Sequence, residues 1–245
     1  MKIDVGLIGG TGIGNRLLAL PGRTLRCPTE FGWLTGRLLS GLGPSLCVLS
    51  RHSAGHKVPP HRIGYKAMAT GLKTLGAKAC LSTAAVGSLR MDWPPGTLVL
   101  CDQFIDATGR NLTLFDREIY HQDMTHPFSS LVRSAWIDAA AELSISIQKT
   151  GTYLGANGPR YETPSEIKAF GTLGADIVGM TASSEATVMA EAGVPYSCLA
   201  IVTNLAAGIS EGPLGHADVV DQMQEVGEQT TRLMLRAAQL VTERW

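Results

Sequence analysis

The chain has 245 residues, 44% of them hydrophobic against 17% charged, which is enough apolar side chain for a substantial core and excludes a disordered or fibrous polypeptide. Its 21 Lys and Arg balance 21 Asp and Glu, so the net basic footprint of a nucleic-acid binder is missing and a small-molecule ligand is the first expectation. No apolar run approaches a membrane span, and Met1-Lys2-Ile3-Asp4 opens without the basic and apolar regions of a cleavable leader, so the expectation is a cytoplasmic chain with no membrane partner.

Short apolar runs alternate along the chain with longer segments of helical period, the pattern of an α/β domain. Strands are expected over 4–8, 45–50, 79–82, 97–105, 151–156, 177–180 and 196–204, and helices over 63–75, 129–143, 163–173, 183–192 and 216–242. The last helix follows from Val219, Val220, Met223, Val226, Leu233, Leu235 and Leu240, which recur at roughly helical spacing among Gln, Glu and Arg. No low-complexity linker divides the chain, so 1–245 is expected to form one domain. The stretch 106–127 has Gly109 as its single glycine, holds Thr108, Asn111, His121 and His126, and reads as a long functional loop. The 5 cysteines, Cys27, Cys47, Cys80, Cys101 and Cys198, are odd in number, dispersed and never in a CxxC pair, which fits reduced core thiols better than disulfides or zinc.

The first motif, Ile8-Gly9-Gly10-Thr11-Gly12-Ile13-Gly14, follows a strand and can bring backbone N–H groups close to a phosphate, although a plain tight turn fits as well. A dinucleotide reading fails, because the third glycine of GxGxxG falls at Asn15 and no Gly-Lys-Ser/Thr follows. Arg51-His52-Ser53-Ala54-Gly55-His56, with Pro59-Pro60-His61 after it, sets a permanent guanidinium beside an imidazole, a pair that can hold an oxyanion. The histidine spacing 52, 56, 61 lacks an accompanying carboxylate, so no metal is expected. Ser82-Thr83-Ala84-Ala85-Val86-Gly87-Ser88 places small side chains at a strand end, where a flat ring or a phosphate can lie against the backbone; a packing strand running into a turn fits equally.

Specificity comes from three further segments: Asn157-Gly158-Pro159-Arg160-Tyr161-Glu162-Thr163, Gly179-Met180-Thr181 to Glu185, and Thr203-Asn204-Leu205-Ala206-Ala207-Gly208. With the earlier motifs, from Gly9 to about Val226, they resemble the trimeric purine nucleoside phosphorylase family, which includes the methylthioadenosine phosphorylases. The resemblance implies a single α/β domain whose central mixed, twisted, partly barrel-like sheet is flanked by helices, assembled as a homotrimer or a dimer of trimers. It implies phosphate binding by Thr11, Arg51, His52, the Ala84-Ala85 turn and Thr181, with Ala84 standing where relatives often carry Asn or Thr. It implies a purine near Val86, Gly87, Tyr161 and Val178, a ribose over Met180, and no organic cofactor or metal, phosphate being a co-substrate.

Base choice rests on Glu162 and Asn204. A carboxylate accepts from the N1–H of a 6-oxopurine, and an amide donates to O6 and meets N7, whereas a 6-aminopurine reverses both requirements. The methylthioadenosine branch typically has Ser-Ser after the aromatic residue and Asp in the last-strand motif, so this chain resembles the 6-oxopurine branch at both places. A mismatched pair leaves buried polar groups unpaired at a cost of about 1–3 kcal/mol each. The sugar end gives opposed signals: His216, in Pro213-Leu214-Gly215-His216, resembles the histidine that meets a 5'-hydroxyl, while His121 aligns with a residue lent by a neighbouring subunit and is more typical of methylthio-nucleoside enzymes.

The implied reaction is attack of phosphate on C1' as the bond to purine N9 breaks, with His52 in the anion site and Asn204 and Glu162 on the base as the catalytic groups. Thr11, Arg51, His52 and Thr181 would hold the anion against a cationic ribosyl centre, and Asn204 would stabilise charge entering the purine. Arg51→Ala is expected to disturb phosphate kinetics with little thermal effect. The alternatives are a methylthioinosine or methylthioadenosine phosphorylase, a non-catalytic nucleotide-binding module suggested by Ala84 and Ala182-Ser183-Ser184, and, more weakly, a hydrolase.

Overall fold

The computed structural model describes residues 2–53, 57–210 and, from 216, the backbone of the C-terminal helix, with side chains from 222 onward. His56, the Pro213-Leu214-Gly215 segment and the side chain of His216 lie outside the described residues. In chain order the elements are β1 (Val5–Gly9), α1 (Ile13–Leu18), β2 (Gly22–Thr29), β3 (Gly32–Leu39), β4 (Leu46–Ser50), α2 (Tyr65–Thr74), β5 (Ala79–Ser88), β6 (Leu98–Leu100), β7 (Gln103–Asp106), α3 (Ser130–Glu142), β8 (Thr152–Gly155), α4 (Pro164–Thr172), β9 (Ile177–Gly179), α5 (Ala182–Glu191), β10 (Tyr196–Leu205) and α6 (His216–Glu243).

Four apolar strands, β1, β4, β5 and β10, run parallel through the middle of a 10-stranded mixed sheet. Covered on both faces, they read as continuous apolar runs rather than alternating ones. One face packs against Ile13 and Leu17 of α1, Trp136 of α3 and Leu233, Met234 and Ala237 of α6. The other packs against Tyr65, Met68 and Leu72 of α2 and Ala182, Ala186 and Met189 of α5. From β5 the hydrogen-bonded path runs one way through β9 and β8 to β7 and the other way through β10 to β6. Since β6 and β7 are successive in the chain, the sheet curls into a barrel-like half.

The expected strands and helices are present with shifted ends, and several differences have identifiable causes. The hairpin β2–β3 was not expected: Leu25 and Cys27 are the buried residues of β2, and Pro28 sits on an edge strand where a missing N–H does no harm. The turn at Glu30-Phe31 and a Gly32 with φ +110 close the hairpin. Helix α1, six residues long, is too short to show a period. The strand expected over 97–105 is two, because the chain leaves β10 at Cys101 and rejoins the sheet on β8 at Gln103. Strand β5 continues to Ser88 instead of ending at 82, pairing with β10 throughout and with β9 at Gly87 and Ser88. All five cysteines are buried and free.

Candidate active site

A cavity of about 430 Å³ opens where β1, β4, β5 and β10 reach their C-terminal ends and β9 runs in from the side, the place where parallel sheets present ligand sites. Thr11, Arg51, His52 and Thr181 line one end of it. The glycine turn after β1 reaches the guanidinium closely: a Cβ on Gly10 would come within 2.8 Å of Arg51 Nη1, so only glycine fits there. A small hollow of about 20 Å³ lies between that turn and His52, lined by Gly9, Gly10, Thr11 and Ser53 among others.

Each side chain at this end is held from behind. The Arg51 guanidinium, 4% exposed, donates from Nε and Nη2 to the two carboxylate oxygens of Glu185 and from Nη1 to the Thr83 carbonyl at 2.8 Å. Thr83 Oγ1 also accepts from Gly10 N at 3.2 Å, so one residue ties the glycine turn to the arginine. His52 Nδ1 donates to the Val58 carbonyl at 2.8 Å, and Val58 N donates back to His52 O at 3.0 Å, which fixes the ring and puts a proton on Nδ1. Thr181 stands at the N-cap of α5 with no capping bond from its side chain. The Tyr153 hydroxyl instead accepts from Thr181 N and Ala182 N. Glu185 therefore neutralises the Arg51 charge, and an anion there would be met by directed N–H and O–H groups.

Val86, Gly87, Tyr161, Glu162, Val178, Met180 and Asn204 line the other part of the cavity. Between Val202 and Asn204 the register of β10 against β5 shifts by one residue at Thr203, a bulge of the kind that re-aims a side chain. Thr203 Oγ1 shares its proton between Asn204 Oδ1 at 3.0 Å and Val86 O at 3.3 Å, and Asn204 Nδ2 donates to Leu205 O at 3.0 Å. These bonds orient the amide, leaving one N–H and one acceptor position on it. The loop with Tyr161 and Glu162 is pinned at both ends. Downstream, Thr163 and Glu166 form a capping box on α4 that Arg160 joins through both of its terminal nitrogens. Upstream, Arg110 donates to Asn157 O at 2.6 Å and to Met180 O at 3.1 Å. Gly158, at φ +66, lies against the Met180 side chain with no room for a Cβ. Partial burial, with a smaller push from the Glu166 charge, holds the Glu162 carboxyl above its ordinary value against its own backbone N–H and, more weakly, Arg160.

Two expected residues are not part of this lining, and a third cannot be placed against it. Ala84 is 3% exposed in the core cluster under α2 and α5; because β5 continues through it, its side chain and that of Ala85 point to opposite faces. His121 is exposed on the 106–127 loop, beside Ile119 and Tyr120 at 88% and 53% exposure. The side chain of His216 is outside the described residues. Conversely, the lining includes Lys57 and Val58, which no motif named, and Thr203, Thr83 and Glu185, which stood in motifs without a role of their own, act in it or behind it together with Tyr196. Glu185 left a visible trace, a carboxylate among small apolar residues in α5. Among the described residues no group of three or more His, Cys, Asp and Glu forms a metal site, and no helix is long and apolar enough to cross a membrane.

Residues 5–239 match the family described as the phosphorylase superfamily. The chain is 38% identical over 246 residues to a probable 6-oxopurine nucleoside phosphorylase of Thermococcus kodakarensis, covering 97% of this chain and 92% of that protein. It is 41% identical over 202 residues to the 6-oxopurine nucleoside phosphorylase of Pyrococcus furiosus, covering 79% and 76%. A probable S-methyl-5'-thioinosine phosphorylase of Methanopyrus kandleri is 35% identical, over 97% of this chain and 93% of that one. The solved structure of methylthioadenosine phosphorylase from Schistosoma mansoni with adenine superposes at a TM-score of 0.93 and 30% identity, covering 99% of this chain and 93% of that one. Family, relatives and fold agree across nearly the whole length, and the chain therefore belongs to the phosphorylase superfamily, as a phosphorylase of the pentosyltransferase class.

Proposed function

We propose that this enzyme cleaves the N-glycosidic bond of 6-oxopurine nucleosides with inorganic phosphate, giving the free base and α-ribose 1-phosphate. The observation that carries the reading is the pairing of Glu162 and Asn204 across one cavity, with the amide already oriented by Thr203 and Leu205. A carboxylate and an amide in those roles suit N1–H, O6 and N7 of hypoxanthine or guanine, and an adenine would set the Glu162 carboxylate against an N1 with no proton to give. Phosphate at the opposite end, against Thr11, Arg51, His52 and Thr181, would attack C1' from the face away from the base. Charge entering the purine as the bond breaks would be met at O6 and N7 by Asn204, which is the electrostatic part of catalysis. No cofactor is required by this route, and no covalent nucleophile is needed.

A methylthioinosine substrate uses the same base and anion contacts and differs at the 5' position. It is favoured as a second reading by His121 and by the Methanopyrus relative's name. A panel of inosine, guanosine, adenosine, methylthioinosine and methylthioadenosine, each with phosphate, tests both. Inosine or guanosine leading by tenfold or more over adenosine is the expected result, and adenosine or methylthioadenosine leading would sink the base assignment. For the assembly we place His121 in a neighbour's ribose pocket within a homotrimer. Co-assembled His121→Ala and Arg51→Ala chains should then recover activity that neither has alone.

A further inference from the structure

We infer that Glu185, backed by Tyr196, is the positioning residue of the anion end: it turns one edge of the Arg51 guanidinium toward the cavity and cancels the charge that edge would otherwise carry into a buried site. The inference rests on the phosphate reading above and deepens it.

An arginine has five N–H donors in a rigid plane. Nε and Nη2 of Arg51 are taken side-on by Oε1 and Oε2 of Glu185, and one N–H of Nη1 is taken by Thr83 O. One N–H on each terminal nitrogen is left for the cavity that Arg51 lines, the two-pronged end that matches two oxygens of a phosphate. A side-on carboxylate is the arrangement that leaves that end open, since an end-on one would occupy it. Glu185, 1% exposed, is itself held. Oε2 accepts from the Tyr196 hydroxyl at 2.6 Å, and that hydroxyl, having donated, accepts from Ser82 Oγ at 2.6 Å. Tyr196 is 2% and Ser82 0% exposed. The chain Ser82–Tyr196–Glu185–Arg51 thus runs from the core to the cavity wall, each group oriented by the one behind it.

The electrostatics point the same way. A guanidinium buried alone would be heavily penalised, and the pair with Glu185 offsets that penalty before any ligand arrives. Because the pair is neutral, what Arg51 offers an anion is the direction of its N–H groups, and a displaced guanidinium would present them to the wrong place, weakening both the hold on the anion and its aim at C1'.

The test is a phosphate titration by calorimetry and a two-substrate kinetic analysis of the wild-type enzyme, Glu185→Gln and Tyr196→Phe. Glu185→Gln should lower kcat/KM for phosphate by about tenfold or more, through both KM and kcat, while the nucleoside KM at saturating phosphate stays within about twofold. Tyr196→Phe keeps the ring and the fold; it should move the phosphate parameters in the same direction by a few-fold, again with the nucleoside KM unmoved. Wild-type phosphate kinetics in Tyr196→Phe, or an equal loss on both substrates in Glu185→Gln alongside a falling Tm, overturns the inference. Failure of the wild-type enzyme itself to take up phosphate overturns the phosphate reading and this inference with it, and is told apart from the other outcomes because no variant is involved.

Discussion

The two ends of the cavity are built differently. Arg51, His52 and Thr181 are 4%, 8% and 5% exposed, sit directly at strand ends, and are each tied to the main chain or to a buried partner. Tyr161 and Glu162 are half-buried on a loop whose flanks are pinned by largely exposed groups such as the Arg160–Glu166 pair. A charge that must be carried inside the protein needs compensation from the core, whereas a base-reading carboxylate can ride on a surface loop without the sheet depending on it. Stability and activity should therefore fall together at the anion end and separate at the base end.

The largest expected effect comes from Arg51→Ala. Removing the guanidinium deprives phosphate of a charge-assisted partner and should cost roughly 100-fold or more in kcat/KM for phosphate. It also strands the Glu185 carboxylate, 1% exposed, and breaking one side of a buried pair typically costs about 3–5 kcal/mol. The sequence alone suggested little thermal change; the structure corrects this, because the pairing partner lies 134 residues away. Arg51→Met combined with Glu185→Leu should regain most of the lost Tm and none of the activity. A single Arg51→Ala with unchanged Tm would show that water reaches Glu185 freely and would erase the contrast between the ends.

Asn204→Asp probes the other end. A carboxyl there no longer donates to O6, so inosine turnover should fall by about 10- to 100-fold, one mispaired buried group being worth about 1–3 kcal/mol, with adenosine activity gained little because Glu162 still prefers N1–H. Stability should barely move, since the Asn204 bonds run to Thr203 and Leu205 next to it. Full inosine kcat/KM in this variant would remove Asn204 from base reading. A smaller change is expected at the sugar: His216→Leu should shift the ratio of kcat/KM for inosine and methylthioinosine by about tenfold toward the thioether, because a hydroxyl entering a pocket needs a partner and a thioether needs apolar surface. Equal changes on both substrates would mark His216 as structural.

The same contrast explains what could be read from the sequence. The parallel strands at the centre are buried on both faces and announce themselves as apolar runs, and the motifs at their ends carry the family resemblance that grouped Thr11, Arg51, His52, Thr181 and Asn204, which line one cavity. The β2–β3 hairpin was not, because it is held by pairing rather than by a pattern of its own: much of both strands is exposed or half-exposed. Taking Ala84-Ala85 as one turn failed for a geometric reason, since a continuing strand alternates its side chains. The supports Thr83, Glu185 and Tyr196 were hidden because each acts on a residue far away in sequence, and the spacing of a motif carries no information about what packs behind it.

The smallest effect tests the base end most finely. The Glu162 carboxyl titrates above its ordinary range, chiefly through partial burial and less through the Glu166 charge; its own backbone N–H and, more weakly, Arg160 pull it back. The carboxylate is the form that accepts from N1–H, so kcat/KM for a 6-oxopurine nucleoside should decline as pH falls through the raised value, and Glu162→Gln should abolish that limb along with most of the activity. Arg160→Ala removes the opposing cation. Glu166, which Arg160 and the Thr163 N–H hold down at about 2, is an anion with or without that cation, so the loss of the Arg160 charge is what moves the Glu162 pKa upward. The acid limb should then shift to higher pH by a few tenths of a unit. The Arg160–Glu166 pair is largely exposed, at 67% and 35% for the two side chains, so the shift should shrink as salt rises from about 0.05 M to 0.5 M. An acid limb that stays in place in Arg160→Ala at low salt would mean that the loop charges do not reach Glu162, and that its carboxyl is set by the cavity wall alone.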